Sequence, residues 1–399
     1  MLRCFFAAVA AAIVLCPGPG ARGAQDPQRE QRPVFRAGAH FVRVDAYPTR
    51  DGRPLRNLTA DDFELLEDGK PQKVETFEYV AFEGNTPEAV RQDPNSQRDA
   101  FEQAKDPRYR VFVLYLDIYH VDVSGSHRLR QPIVNMLNRM LGPQDLFGVL
   151  TPIQSPKDLI LARQSLLIQE QLTKYWYWGA GGALEPFDSE LRSCFPFNRV
   201  LTEALVGLRR LDEVYADLEG LVSLLGDLRE ERKQIVLFSQ RLGAPPAAVN
   251  LQLARTERPS PGGVGVDGQG KLTAGARNAG ERDGRWCESE LSRLTAIDFS
   301  LRFRDLLRHA RQANVSFYPV RPGGLDPSDS LLSDGISNLL TLADQTDGLA
   351  IANSNDLDAG LQRVAADLSS YYVLGYYTSN GNWNGGTRRI TVKLKSTGE

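Results

Sequence analysis

The sequence predicts an α/β fold: a mainly parallel sheet flanked by helices, with a small β layer built from both chain ends. Three observations carry this. Val111-Phe-Val-Leu-Tyr-Leu-Asp117 is a nearly continuous apolar run with two valines, as a strand buried on both faces requires. Further runs at Asp145 to Pro152, Ile235 to Phe238 and Val315 to Val320 alternate with segments of helical periodicity. Segments near both ends show instead the two-residue alternation of half-covered strands.

Composition narrows the class. The 399 residues carry a net charge of −3 and no long basic run, which argues against nucleic acid as a partner. Apolar content of 42% suffices for a sizeable core. Arg3, the apolar run from Phe5 to Leu15, and the small residues through Gly23 and Ala24 form the pattern of an export signal over residues 1–24. The expected location is periplasm, envelope or medium. That run is too short to span a bilayer, and no later stretch is apolar enough for a transmembrane segment. Cys4 and Cys16 would leave with the signal. Cys194 and Cys287 remain, and two cysteines in an oxidising compartment point to one disulfide, with two unrelated thiols as the alternative.

Taken in order, residues 34–82 read as a β-strand domain. Val42, Val44 and Ala46 share one face, and Asp51-Gly52 and Asp68-Gly69 are hairpin turn pairs. So few strands need a further layer, supplied by residues 371–399, where Tyr371 to Tyr377 and Arg389 to Lys395 read as two strands joined by a Gly/Asn loop. Residues 83–108 are polar and proline-bearing, a linker with one short helix near Ala100. The α/β domain spans 109–368. Leu129, Ile133, Met136 and Met140 form one helical face, and Pro132, tolerated in a first turn, places the regular start as late as Arg130. Leu159 to Ala162 is an edge-strand candidate. Val214, Leu218, Leu221, Leu225 and Leu228 make the clearest amphipathic helix. Helices over 301–313, 336–345 and 356–368 and a strand from Leu349 to Ala352 complete the pattern. Residues 241–285, rich in Gly, Pro, Ala and Ser, read as a flexible insertion within the domain. The Gly-x-Gly-x-x-Gly at Gly263 to Gly268 neither follows a strand nor opens a helix, so it is no nucleotide motif.

Ligands of open α/β sheets lie at the carboxyl ends of the strands, so Asp117 belongs to the rim of any site. Mg²⁺ takes oxygen ligands and keeps several waters. The metal-ion-dependent adhesion site of von Willebrand factor A domains uses that chemistry. Its signature is Asp-x-Ser-x-Ser after the first strand, a Thr from a later loop and an Asp ending a later strand. With Asp117 in the first position, Tyr119 and Val121 occupy the serine positions and cannot serve. Asp122-Val-Ser124-Gly-Ser126 matches literally, and Thr202, at the start of a helix before Ala204-Leu205, could supply the threonine. The later strand ends in Phe238-Ser239, without a carboxylate. Two readings stand: Mg²⁺ held among Asp117, Asp122, Ser124, Ser126 and Thr202, or Asp122 with Ser124 or Ser126 capping the next helix. His120, Asp122, Ser124 and His127 also fit a serine-dependent hydrolase, though no Gly-x-Ser-x-Gly is present. His309 reads as a solvated or core histidine. Trp176 and Trp178, in Tyr175-Trp-Tyr-Trp178, are packing residues or anchors for a partner.

Several stretches together resemble the VWFA-related domain family, a divergent branch of von Willebrand factor A domains found in exported bacterial proteins. They are Leu58 to Lys73, Leu141-Gly-Pro-Gln-Asp145, Leu228-Arg-Glu-Glu-Arg-Lys233, Ala313-Asn-Val-Ser-Phe-Tyr-Pro319, Asn355-Asp-Leu-Asp-Ala-Gly-Leu361 and Asp367 to Tyr376. The resemblance implies a Rossmann-like A domain, a protein partner, and binding or scaffolding rather than catalysis. It also implies that the final strand pair continues toward another basic segment. Tyr119, Val121 and Ser239 depart from the adhesion-site pattern, so the resemblance implies a degenerate metal site.

Overall fold

The computed structural model describes residues 41–50, 53–164, 186–243, 264–266, 272–274, 284–324, 333–381 and 388–395. The predicted export signal, Asp51-Gly52, Trp176, Trp178 and most of the 241–285 insertion lie outside them. The chain opens with β1 (Phe41–Ala46), β2 (Thr49–Arg50), β3 (Arg53–Pro54), β4 (Phe63–Glu67), β5 (Lys70–Gln72) and β6 (Thr76–Ala81). Next come α1 (Gln97–Ala104), β7 (Arg110–Leu116), α2 (Val123–Met140) and β8 (Asp145–Leu150). They are followed by α3 (Pro186–Cys194), α4 (Arg199–Gly226), β9 (Lys233–Phe238), β10 (Val264–Val266) and β11 (Leu272–Ala274). The last are α5 (Gly284–Ala296), α6 (Phe299–Gln312), β12 (Val315–Val320), α7 (Ser333–Gln345), α8 (Leu357–Asp367), β13 (Ser370–Tyr377) and β14 (Ile390–Leu394).

The α/β class holds. A four-stranded, all-parallel sheet in the order β12-β9-β7-β8 lies between helices. All seven residues of β7 are buried because both faces are covered. Val111, Val113 and Tyr115 pack with Leu218, Leu221 and Leu306, while Phe112, Leu114 and Leu116 pack with Leu129, Ile133 and Val364. Side chains alternate between faces, yet each face meets helices, so the run is apolar without a break.

Helix α2 differs from the expected late start. It begins at Val123, with Asp122 as its cap accepting from the Gly125 amide, and carries Pro132 inside. An interior proline costs about 3 kcal/mol. Five apolar side chains on the buried face, Leu129, Ile133, Met136, Leu137 and Met140, outweigh it at about 1.5–3 kcal/mol each. Two strand expectations shrink to single bridges. Leu159 to Ala162 touches the sheet through reciprocal bonds of 2.9 Å between Phe147 and Ala162. Pro152 and Pro156 bend the chain on the way in. Leu349 to Ala352 pairs only where Ile351 meets Val320, because the turn into the Asp356 cap of α8 takes the chain away.

The two terminal strands do not form a hairpin. β13 lies between β1 and β6 in one antiparallel sheet, and β14 joins β4 and β5 in another. Phe63 of β4 meets Phe77 of β6 and Tyr372 of β13 at ring distances of 5.8 and 5.4 Å, so the two sheets share one apolar contact. The β4–β5 turn is the expected Asp-Gly pair, with φ of 48° at Asp68 and 78° at Gly69.

The polar stretch before β7 is tied down. Ala100 and Ala104 of α1 are fully buried in the main core, and Arg91 donates to the Arg163 carbonyl at 2.9 Å. At the start of β7, buried Arg110 binds Asp145 through two nitrogens at 2.7 and 2.8 Å. It also donates to the Leu368 carbonyl at 2.8 Å and the Met140 carbonyl at 2.6 Å.

Candidate functional site

The carboxyl ends of the parallel strands form a rim. Asp117 follows β7, and its amide continues the ladder to the Phe238 carbonyl at 3.0 Å. Its carboxylate is fully buried. One oxygen accepts from the Tyr119 and His120 amides at 3.3 and 3.2 Å. The other lies 2.6 Å from Ser239 Oγ and 2.8 Å from His120 Nδ1. Four donors therefore surround the group that would otherwise face a ligand. An aspartate at the start of a tight turn takes up the turn's own amides, which explains the local geometry.

Ser239 does the same work from the next strand. Its amide donates to Val320 of β12 at 3.2 Å, and its hydroxyl lies 2.8 Å from the Arg241 carbonyl as well as beside Asp117. The absence of a carboxylate at this strand end was legible in the sequence. That a serine there would reach across to Asp117 was not, because the contact spans 122 positions.

Three of the other expected ligands, Asp122, Ser126 and Thr202, are committed elsewhere. Asp122 caps α2. Ser126 is buried, and its hydroxyl donates to the Val123 carbonyl at 2.9 Å. Ser124 is exposed on the first turn of α2. Thr202 lies in the first turn of α4 and donates to the Phe195 and Asn198 carbonyls at 3.1 and 3.0 Å. No side-chain hydrogen bond among the described residues joins Asp117 to Asp122, Ser124, Ser126 or Thr202. Nor, among them, do three or more His, Cys, Asp or Glu side chains gather as a metal cluster. Loops close the rim further: the Gly323 amide donates to Gln240 at 2.8 Å, and a Cβ on Gly125 would lie 3.1 Å from Pro322.

His120 is the residue of the enzyme reading that gains a partner, through Asp117. His127 and His309 are exposed. Among the described residues, no serine hydroxyl bonds to His120. Away from the rim, the expected disulfide is present: Cys194 at the end of α3 joins Cys287 on α5.

One carboxyl near this end titrates unusually. Burial raises Asp217 of α4 from 3.8 to about 7, against the opposing hydrogen bond from Tyr115. The folded state holds a proton that the unfolded chain releases. The stability this group contributes is thus full below about pH 4 and is lost as pH rises toward 7. Asp217 is half-buried, so solvent screening brings the loss to on the order of 1 kcal/mol. Asp217→Asn should flatten that slope in urea unfolding between about pH 4 and 8.

No protein-family model matches the chain, and no curated protein matches it. No helix among the described residues is long and apolar enough to cross a membrane. The fold itself defines the class: an α/β protein with an all-parallel four-stranded sheet flanked by helices.

Proposed function

We propose that the chain is an exported, non-catalytic binding or scaffolding module, built on a von Willebrand factor A-like domain and directed at a protein partner in the cell envelope. In this reading the adhesion-type metal site is degenerate, and its strand-end carboxylate has become a latch between strands. The supporting observation is the enclosure of Asp117 by Ser239, His120 and two turn amides. A cation would have to displace these donors and draw Ser126 and Thr202 away from their carbonyls. Calorimetry with Mg²⁺ and Mn²⁺ is expected to give no saturable heat and no shift in melting temperature, since a ligand that binds the folded state raises its stability. Saturable heat that disappears in Asp122→Asn would overturn the latch.

The second reading is a serine-dependent hydrolase at the 122–127 loop. The observation in its favour is the 2.8 Å contact of His120 Nδ1 with Asp117, the orientation a general base needs. It requires covalent labelling by a serine-reactive probe that is lost in Ser124→Ala or Ser126→Ala. The binding module predicts no labelling.

A further inference from the structure

At the opposite end of the parallel sheet, two strand edges face one cleft. Among the described residues, β1 is paired on one side only, to β13, and β14 on one side only, to β4. Val44, Asp45 and Tyr47 form one wall, and Ile390, Val392 and Leu394 the other, of a cleft of about 770 Å³. It is continuous with a second space of about 450 Å³ that shares Val44, Asp45, Tyr47 and Ile390 and reaches Arg232. An open strand edge is a row of main-chain donors and acceptors ready to pair.

Among the described residues, Arg232 Nη1 and the Tyr47 hydroxyl are buried in these walls with no hydrogen-bond partner from any third residue. Arg232 is 4% exposed. Its other nitrogens are fixed by Ser316 at 2.6 Å, Tyr318 at 3.0 Å and the Asp347 carbonyl, and its guanidinium lies 3.6 Å from the centre of the Tyr47 ring. A carbonyl placed there would give that buried N–H an acceptor from outside the pair.

The charges select the rest. Arg43 and Glu231 pair at 3.1 Å. Asp45, Glu230 and Asp347 remain around the inner space against Arg232. Burial raises the Asp45 carboxyl despite the nearby arginines, so a further cation beside it would be welcome.

We propose that this cleft binds an extended, basic peptide strand, which pairs with the open edge of β1 and lays a carbonyl on Arg232 Nη1 and Tyr47 and a cationic side chain by Asp45. Main-chain pairing supplies affinity in this mode, and alternate side chains supply selectivity. The site is separate from the Asp117 rim, so its failure and the failure of the latch are read in different experiments.

The test is fluorescence anisotropy of the full chain with a labelled, acetylated heptapeptide alternating valine and lysine. Saturable binding is expected. Replacing the lysines by glutamates, or methylating the strand-facing amides, should weaken it at least tenfold. Asp45→Asn and Tyr47→Phe, which keep shape and remove only the charge or the hydroxyl, should each weaken it about fivefold, the equivalent of one hydrogen bond. No saturation at millimolar peptide, equal affinity for the glutamate peptide, or indifference to both substitutions overturns the proposal. So does protection from hydrogen exchange of every β1 amide in the peptide-free chain. Concentration dependence of that protection would assign the edge to a second copy, and its absence to the chain's own residues.

Discussion

Replacing Arg110 by methionine is expected to lower stability by on the order of 3–5 kcal/mol, read as a fall in the urea midpoint at unchanged slope. The guanidinium is 2% exposed and Asp145 is 1% exposed, so neither charge has water to fall back on. Removing the cation leaves the carboxylate buried with only the Gly142 amide, at 2.6 Å, from its present partners. It also strands the Leu368 and Met140 carbonyls, at the ends of α8 and α2, and removes a cation from the face of Phe82, 4.9 Å away. One side chain thus joins β7, β8, two helix ends and the segment after β6. Changing Asp145 to leucine in the same protein should recover much of the loss, because two apolar groups of matched size need no desolvated pair. A double variant as unstable as the single one would show that the carbonyl contacts, not the ion pair, carry the effect.

Serine at both Cys194 and Cys287 is expected to cost about 2–5 kcal/mol. The bridge closes a sequence separation of 93 residues, and the chain-entropy relation puts such a loop near 4–5 kcal/mol. That loop contains α4 and β9, so the crosslink limits how far a central strand and its covering helix can spread in the unfolded chain. The cysteines also sit in a satellite cluster with Leu191, Phe195, Leu205 and Leu291, whose packing the smaller, polar serines would loosen. Equilibrium urea unfolding measures the loss, and alkylation of the non-reduced wild type should find neither cysteine free. A change below about 0.5 kcal/mol would place the bridge outside the cooperative unit.

Much of the fold was legible because burial is written in periodicity. β7 appears as a nearly continuous apolar run, and α4 as a long amphipathic repeat. The start of α2 was misread because a local rule about Pro132 competes with a buried face that only tertiary packing reveals. The terminal strands pair with strands of the amino-terminal segment. Their division between two sheets was not legible, since it rests on which remote amino-terminal strand each one pairs with. At the rim, Asp117 was identified as a strand-end carboxylate, whereas its enclosure was hidden. The partner that closes it is a serine, a residue whose sequence context carries no mark of a distant contact.

The place of β13 between β1 and β6 bears on how the molecule is made. The first strands leave the ribosome long before the segment that fills the gap between them, and a chain halted ahead of Ser370 has no means of closing that sheet. Contacts so remote along the chain form slowly and leave hydrophobic strands uncovered meanwhile.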